Sequence, residues 1–182
     1  IDYKQRNFDT APEEYDIDDF KCYEWVYENP EKCEAESYMP SIYEAGLSVH
    51  FSTIENWERI SHWYHDLAVP MAKEDYNVDQ LYKEIFDGKT GLNDEDKARL
   101  IYDYICENVN YSSVSFRQGS FIPQKPRKTV STKLGDCKDM STLFLALSNK
   151  AGIKTNLVLV NTRDNGENSL AMPSIDFNHC IV

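Results

Sequence analysis

Basic residues, long apolar runs, glycine, proline and paired cysteine motifs are all scarce in this sequence, and each scarcity excludes something. Only 19 lysines and arginines face 31 acids among 182 residues, a formal net charge of -12. So acidic a chain repels phosphate backbones and argues against sequence-independent nucleic-acid binding. The longest apolar stretches, Leu143–Leu147 and Leu157–Val160, fall far short of the roughly 20 residues that span a bilayer as a helix. No charged segment followed by an apolar one stands at Ile1, and a start without Met suggests a processed end, which leaves the compartment open. Gly and Pro number 7 each, with no repeat and no low-complexity tract beyond the acidic run Glu13–Asp19. Five cysteines lack any C-x-x-C pair, which speaks against a zinc ribbon or a thioredoxin-type redox motif.

What is present is an ordinary globular composition, 41% hydrophobic and 27% charged, enough for one core or for one domain plus part of another. Charge is uneven. Residues 1–36 hold 12 acids and 4 bases, net -8, leaving -4 for the other 146. That first stretch also alternates in aromatic runs (Phe20–Tyr27) between turn signals (Asn29-Pro30, Met39-Pro40-Ser41) and reads as β-rich. Leu47–Phe51 alternates as a strand, and Ser52 with Glu55 predicts a capping box opening a helix. Its stripe is Ile54, Trp57, Ile60 or Ser61, Tyr64 and Leu67, and Pro70 ends it. A short helix over Val78–Phe86 is closed by Gly88, and Asn93 caps a third with the stripe Ala98, Ile101, Tyr102, Ile105 and Val109. Tyr111–Phe116 is expected to be extended, and Arg117–Thr132, with two prolines, a loop long enough to suggest function. Gly135-Asp136-Cys137 opens a fourth helix with the stripe Met140, Leu143, Phe144 and Leu147, and Gly152 sits at its left-handed cap position. Lys154–Asn161 and Asp176–Val182 then read as strands around a polar loop containing Asn165-Gly166 and Pro173. Helices followed by strands make the expected class α+β.

Of the cysteines, Cys106 beside the third helix stripe is expected to be a small buried hydrophobe, and Cys22 and Cys33 would pair only in an oxidising compartment. Cys137 differs. It stands at the first turn of a helix, where orphan amides and the helix dipole favour a thiolate, the nucleophilic form. Arg117, Lys125, Arg127, Lys128 and Lys133 precede it with no acid between Arg117 and Gly135, and Lys138 follows. Set against the alternative of a buried helix-start cysteine, polar neighbours on both sides favour a nucleophile. A nucleophilic thiol needs a base. His62 and His65 lie on an outer helix face with no third metal ligand evident, and His50 alternates in a strand. His179 falls in Phe177-Asn178-His179-Cys180-Ile181-Val182, where alternation places Phe177, His179 and Ile181 on one face. It is either a satisfied core histidine or a base for Cys137, and spacing does not choose.

Taken together, Tyr111 with its proline-bearing loop, Gly135-Asp136-Cys137-Lys138-Asp139, Ala151-Gly152-Ile153, Leu157–Val160, Pro173-Ser174 and the Phe177–Val182 run resemble the bacterial transglutaminase-like superfamily. Residues 52–182 are read as that domain, C-terminally incomplete. Residues 1–51, with Tyr23-Glu24-Trp25 and Glu36–Pro40, resemble the end of the β-sandwich domain of unknown function that often precedes it. The resemblance implies a papain-like core, a helix bearing the cysteine packed on an antiparallel sheet bearing the histidine, with an aspartate on the next strand. By position Cys137 is nucleophile and His179 general base and acid, in acyl transfer from an amide through a thioester. The substrate is a peptide or protein amide, no cofactor is called for, and export to the periplasm or cell envelope is suspected. The backbone amide of Cys137 is a natural oxyanion donor, with Gln118 or Gln124 as a candidate second one, and Lys138 and Lys133 as thiolate support.

Lys138 stands where animal transglutaminases carry tryptophan, which favours protease-like hydrolysis over protein cross-linking. No acid follows His179. The expectation is that the chain is a fragment whose continuation carries the orienting aspartate, that by itself it is inactive, and that an unpaired sheet edge at residues 176–182 favours self-association. The alternative is a non-catalytic module of the same fold that uses the groove around Cys137 to hold a peptide or glycan.

Overall fold

The structure is a computed structural model of the chain; it describes residues 2–29, 32, 34, 36–73, 76–113, 121–163 and 172–182. They form two compact units, one of residues up to Glu55 with Arg163 and 172–174, the other of Asn56–Thr162 with Ile175–Val182.

The first unit is strand-rich. β1 (Asp2–Arg6) pairs antiparallel with β4 (Ser48–Ser52), and β2 (Glu13–Ile17) with β3 (Phe20–Glu24). The β2–β3 connection is two residues long, and Asp18 takes φ 53°, the left-handed backbone that tight hairpins require and Asp tolerates. Tyr3 packs edge-on against Tyr23 and Trp25, at centroid distances of 5.6 and 5.1 Å. One helical turn, α1 (Ile42–Ala45), precedes β4. Ser52 opens no helix. It ends β4, its hydroxyl donating to the Pro173 carbonyl at 2.6 Å and accepting from the Ile54 amide at 3.0 Å.

In the second unit, α2 (Trp57–Ala68) is capped by Asn56 instead, whose side chain accepts from the Arg59 amide at 3.0 Å. Ser52 is committed to the strand ladder, so the cap falls to the next residue able to accept from a first-turn amide. Ile60, Tyr64 and Ala68, one turn apart, face inward. α2 ends at Ala68, and a 3-10 turn, Val69–Ala72, follows with Pro70 near its start, where proline is tolerated. α3 (Tyr76–Phe86) and α4 (Asp94–Asn108) follow the predicted periodicity, with Asn93 accepting from the Asp96 amide at 2.8 Å. Within the predicted Arg117–Thr132 loop, Pro126–Thr132 is a helix, α5. Proline at its first position is preset for a helix and Lys133 closes it at φ 56°; residues 114–120 lie outside the described residues.

α6 (Cys137–Ala151) is the axis of the unit. The sequence suggests an amphipathic helix, yet Leu143, Leu145, Ala146, Leu147, Ser148 and Ala151 are all buried, so its burial wraps well around the axis. α3, α4 and α6 share a core of Val78, Leu81, Ile85, Ile101, Ile105, Val109, Leu143 and Leu147. Each such aliphatic side chain contributes about 1.5–3 kcal/mol on burial. Gly152 at φ 75° ends α6, its amide bonding back to Ser148 and Asn149. Two-residue strands β5 (Asn110–Tyr111) and β6 (Leu134–Gly135) pair in parallel, and the predicted strands form over shorter spans, as β7 (Val158–Val160) and β8 (His179–Ile181), antiparallel with Leu159 opposite Cys180 and Val160 opposite His179. Helices packed with small sheets make the fold α+β.

Candidate active site

The Gly135-Asp136-Cys137-Lys138-Asp139 run folds as a capping box: Asp136 accepts from the amides of Lys138 and Asp139, both at 3.1 Å, and Asp139 accepts from the Asp136 amide at 3.2 Å. Cys137 therefore starts α6, 8% exposed, where first-turn amides have no intrahelical partner and the helix dipole is positive. The same carboxylate of Asp139 accepts from the Gln124 amide at 2.8 Å, tying the preceding segment to the helix start. Burial pushes the Asp139 carboxyl up, against the two backbone amides that pull it down.

Opposite stands β8. Its side chains alternate, but the fully buried position is Cys180, 1% exposed, in a cluster with Tyr64, Ala68 and Cys137. His179 is half-buried and, with Cys137, lines a cavity of about 770 Å3 that also takes in Tyr102, Tyr111, Met140 and Phe144. Phe177 does not share the face of His179 as alternation predicts. It packs on Trp57 at 6.4 Å and joins the Cys180 cluster. The reason is local: the Asn178 side chain accepts from the Thr162 backbone amide at 2.9 Å and donates to the Thr162 hydroxyl at 2.6 Å, so the strand and its alternation begin only at His179. Burial pushes the Tyr64 hydroxyl and the Cys180 thiol up, and the two are joined by a bond from Tyr64 Oη to Cys180 Sγ of 3.4 Å. Ser141 Oγ on α6 donates to the Cys180 carbonyl at 3.2 Å, pinning β8 to the helix one turn past Cys137.

The remaining candidates are distributed less simply. Lys138 is buried, but its ammonium pairs with Asp136, so its charge is matched within the helix start. Lys133 donates to Tyr104 Oη at 2.8 Å and lies over that ring. Neither is directed at the cavity. Gln124 gives its side-chain amide to the Leu134 carbonyl at 3.0 Å, serving as a brace, and Gln118 lies outside the described residues, as does Cys33 and with it the Cys22–Cys33 question. Cys106 is exposed, not buried: it follows Ile105, which takes the core position, and lines the cavity near Tyr102. His62 reaches Glu58 at 3.8 Å, His65 reaches Asp66 at 3.2 Å and His50 contacts Ser48 at 3.2 Å. Among the described residues no three His, Cys, Asp or Glu side chains gather as a metal site, and no helix is long and apolar enough to cross a membrane.

Sequence reasoning missed Tyr111 as a neighbour of Cys137. Burial pushes its phenol up, and the adjoining Cys137 pushes it further by charge and by hydrogen bonding. Its position just after a helix and before the cysteine loop was the available signal, but only the strand pairing brings it back to residue 135.

Among solved structures, the chain is similar to that of a putative protease from Parabacteroides distasonis ATCC 8503, with a TM-score of 0.66 and 16% identity. The match covers 87% of this chain and 31% of that one, so the chain spans about a third of its length, and at that identity the likeness is one of fold. No curated protein matched the sequence. The family model of the transglutaminase-like superfamily matches residues 79–182, from α3 through the cysteine helix to β8 and more than half of the chain, and the chain belongs to that superfamily.

Proposed function

We propose that this chain carries a cysteine-dependent acyl-transfer site, with Cys137 as nucleophile and His179 as general base and acid, acting on amide or peptide bonds by hydrolysis more than by cross-linking. The observation that carries the reading is the cavity of about 770 Å3 lined by both residues, one from a helix N-terminus and one from a strand pinned to that helix. A thiolate at the first turn of α6 attacks the carbonyl carbon while the Cys137 amide faces the developing oxyanion. Collapse breaks the C–N bond, and the protonated imidazole of His179 gives its proton to the departing amine. Water, deprotonated by His179, then attacks the thioester and frees the acid and the thiol. Lys138, paired with Asp136, stands in the sequence position after the cysteine where animal transglutaminases carry tryptophan, which supports hydrolysis over cross-linking. Amide hydrolysis on fluorogenic peptides, compared between wild type, Cys137→Ala and His179→Ala, tests this. Losses of roughly 10³-fold or more are expected in both variants; equal rates in wild type and Cys137→Ala overturn the reading.

A further inference from the structure

We propose that the cavity beside Cys137 is a trough that seats a large uncharged apolar side chain, so that the substrate class is peptides with an aliphatic or aromatic residue, not an acidic one, flanking the reacting amide. That an amide reacts there rests on the acyl-transfer reading above; the preference of the trough does not.

Helix spacing builds the walls. On α6, residues 137–148 are all buried except Met140 and Phe144. These stand three and seven residues after Cys137, on the helix face that carries it, and both line the cavity of about 770 Å3 with it. α4 supplies the facing wall through Ala98, Tyr102 and Ile105 at helical spacing, and Tyr102 is 60% exposed. The two helices run antiparallel: Lys97 near the start of α4 donates to the Ala151 carbonyl at the end of α6 at 3.1 Å, and just past the end of α4 Asn110 opposes Leu134, just ahead of α6. The trough therefore starts at Cys137 and runs along α6 to Phe144, about 10 Å at the helical rise per residue. That length takes about three residues of extended peptide, and the volume falls within the roughly 300–1,000 Å3 of small-ligand sites.

Charge narrows the occupant. Glu95, Arg99 and Asp103 lie one turn apart on the α4 wall. Arg99 is matched by Glu95 at 3.3 Å, while Lys133 and Lys138 turn to Tyr104 and Asp136. Apart from the imidazole of His179, which the reaction employs, a substrate carboxylate would meet an arginine already paired and the like charge of Asp103. An aliphatic or aromatic side chain instead covers Tyr102, Met140 and Phe144 and removes their apolar surface from water.

The test uses quenched fluorescent peptides of one Gly-Ser host that differ in a single central residue, Phe, Leu, Gly or Asp, with cleavage sites read by mass spectrometry. Cys137-dependent kcat/KM is expected to be about 10-fold or more higher for Phe and Leu than for Gly, and lowest for Asp, with cleavage beside the central residue. Equal rates, or a preference for Asp, overturn the proposal. Tyr102→Ala, at an exposed wall position, is expected to lower the Phe-to-Gly ratio about threefold or more, and Asp103→Lys to raise the rate on the Asp peptide relative to Phe; unchanged ratios in both overturn it. Binding is measured apart from turnover, as protection of Cys137 from iodoacetamide by the N-acetyl amides of phenylalanine and aspartate, followed by peptide mass spectrometry. Protection by the phenylalanine amide at lower concentration, with no peptide turned over, supports the seat and overturns the acyl-transfer reading. Cys137-dependent turnover that ignores the central residue overturns the seat and leaves that reading standing, and equal protection with no turnover overturns both. Alkylation of Cys137 that slows as protein concentration alone rises makes a second copy the occupant and overturns the proposal.

Discussion

Asp136 does two things within one side chain: it caps α6 through the Lys138 and Asp139 amides and holds the buried ammonium of Lys138, while its backbone amide donates to Asp139 to close the box. Asp136→Ala removes the cap and one half of a buried ion pair, and is expected to cost about 3–5 kcal/mol in denaturant unfolding. Asp136→Asn combined with Lys138→Met keeps a capping oxygen and buries no charge, and is expected to lose less than the single alanine variant. At this scale the sequence was informative where a residue's role follows from its neighbours along the chain. Cys137 was legible because a helix start is a local feature. Lys138 and Lys133 were read as thiolate support from a count of bases along the chain, and such a count does not say which way they turn. One turns to Asp136 and the other to Tyr104. Cys106 was misjudged because the stripe of α4 passes through Ile101, Ile105 and Val109, one position away from it.

Among the elements, α6 carries the unit, and its weight rests on residues inaccessible to solvent. Leu147→Ala is expected to destabilise by about 2–5 kcal/mol, read from denaturant midpoints, since Leu147 is wholly buried in the core that α6 shares with α3 and α4. Gly152→Ala meets no neighbouring atom within 4 Å yet holds φ 75°, so its cost is purely of the backbone, about 1–2 kcal/mol; Gly152→Asn is expected to recover part of it, asparagine being tolerated there. Long periodic helices were legible in the sequence, α3, α4 and α6 within a few residues of their expected ends. The short elements were not. β5 and β6 have two residues each and exist only because they pair, α5 sits among prolines and basic residues, and the expected Ser52 cap lost to Asn56 once Ser52 was taken by the β1–β4 ladder.

For the molecule as a whole, Tyr64 and Cys180 are buried together with their acid dissociation disfavoured. Both groups ionise more readily unfolded than folded, so the unfolded state binds fewer protons at high pH and stability falls as pH rises. The loss is expected to set in near the ordinary thiol value of 9.0 and to be absent below it. Thermal midpoints measured between pH 7 and 10 check this, and Tyr64→Phe is expected to flatten the alkaline part of the curve. The acidity of the chain bears on the same scale: net -12 overall sets how the molecule repels polyanions, not how its site is charged.

The sequence by itself determined the long helices, the family and the cysteine at a helix start, because periodicity, capping residues and a short motif act over a few residues of chain. Tertiary structure alone decided that His179 and Tyr111 line a cavity with Cys137 while Cys180 is buried and Gln124 turns away. Those placements depend on which strands pair and in what register, and pairing is settled by packing between segments far apart in the chain, where spacing along the sequence carries no information.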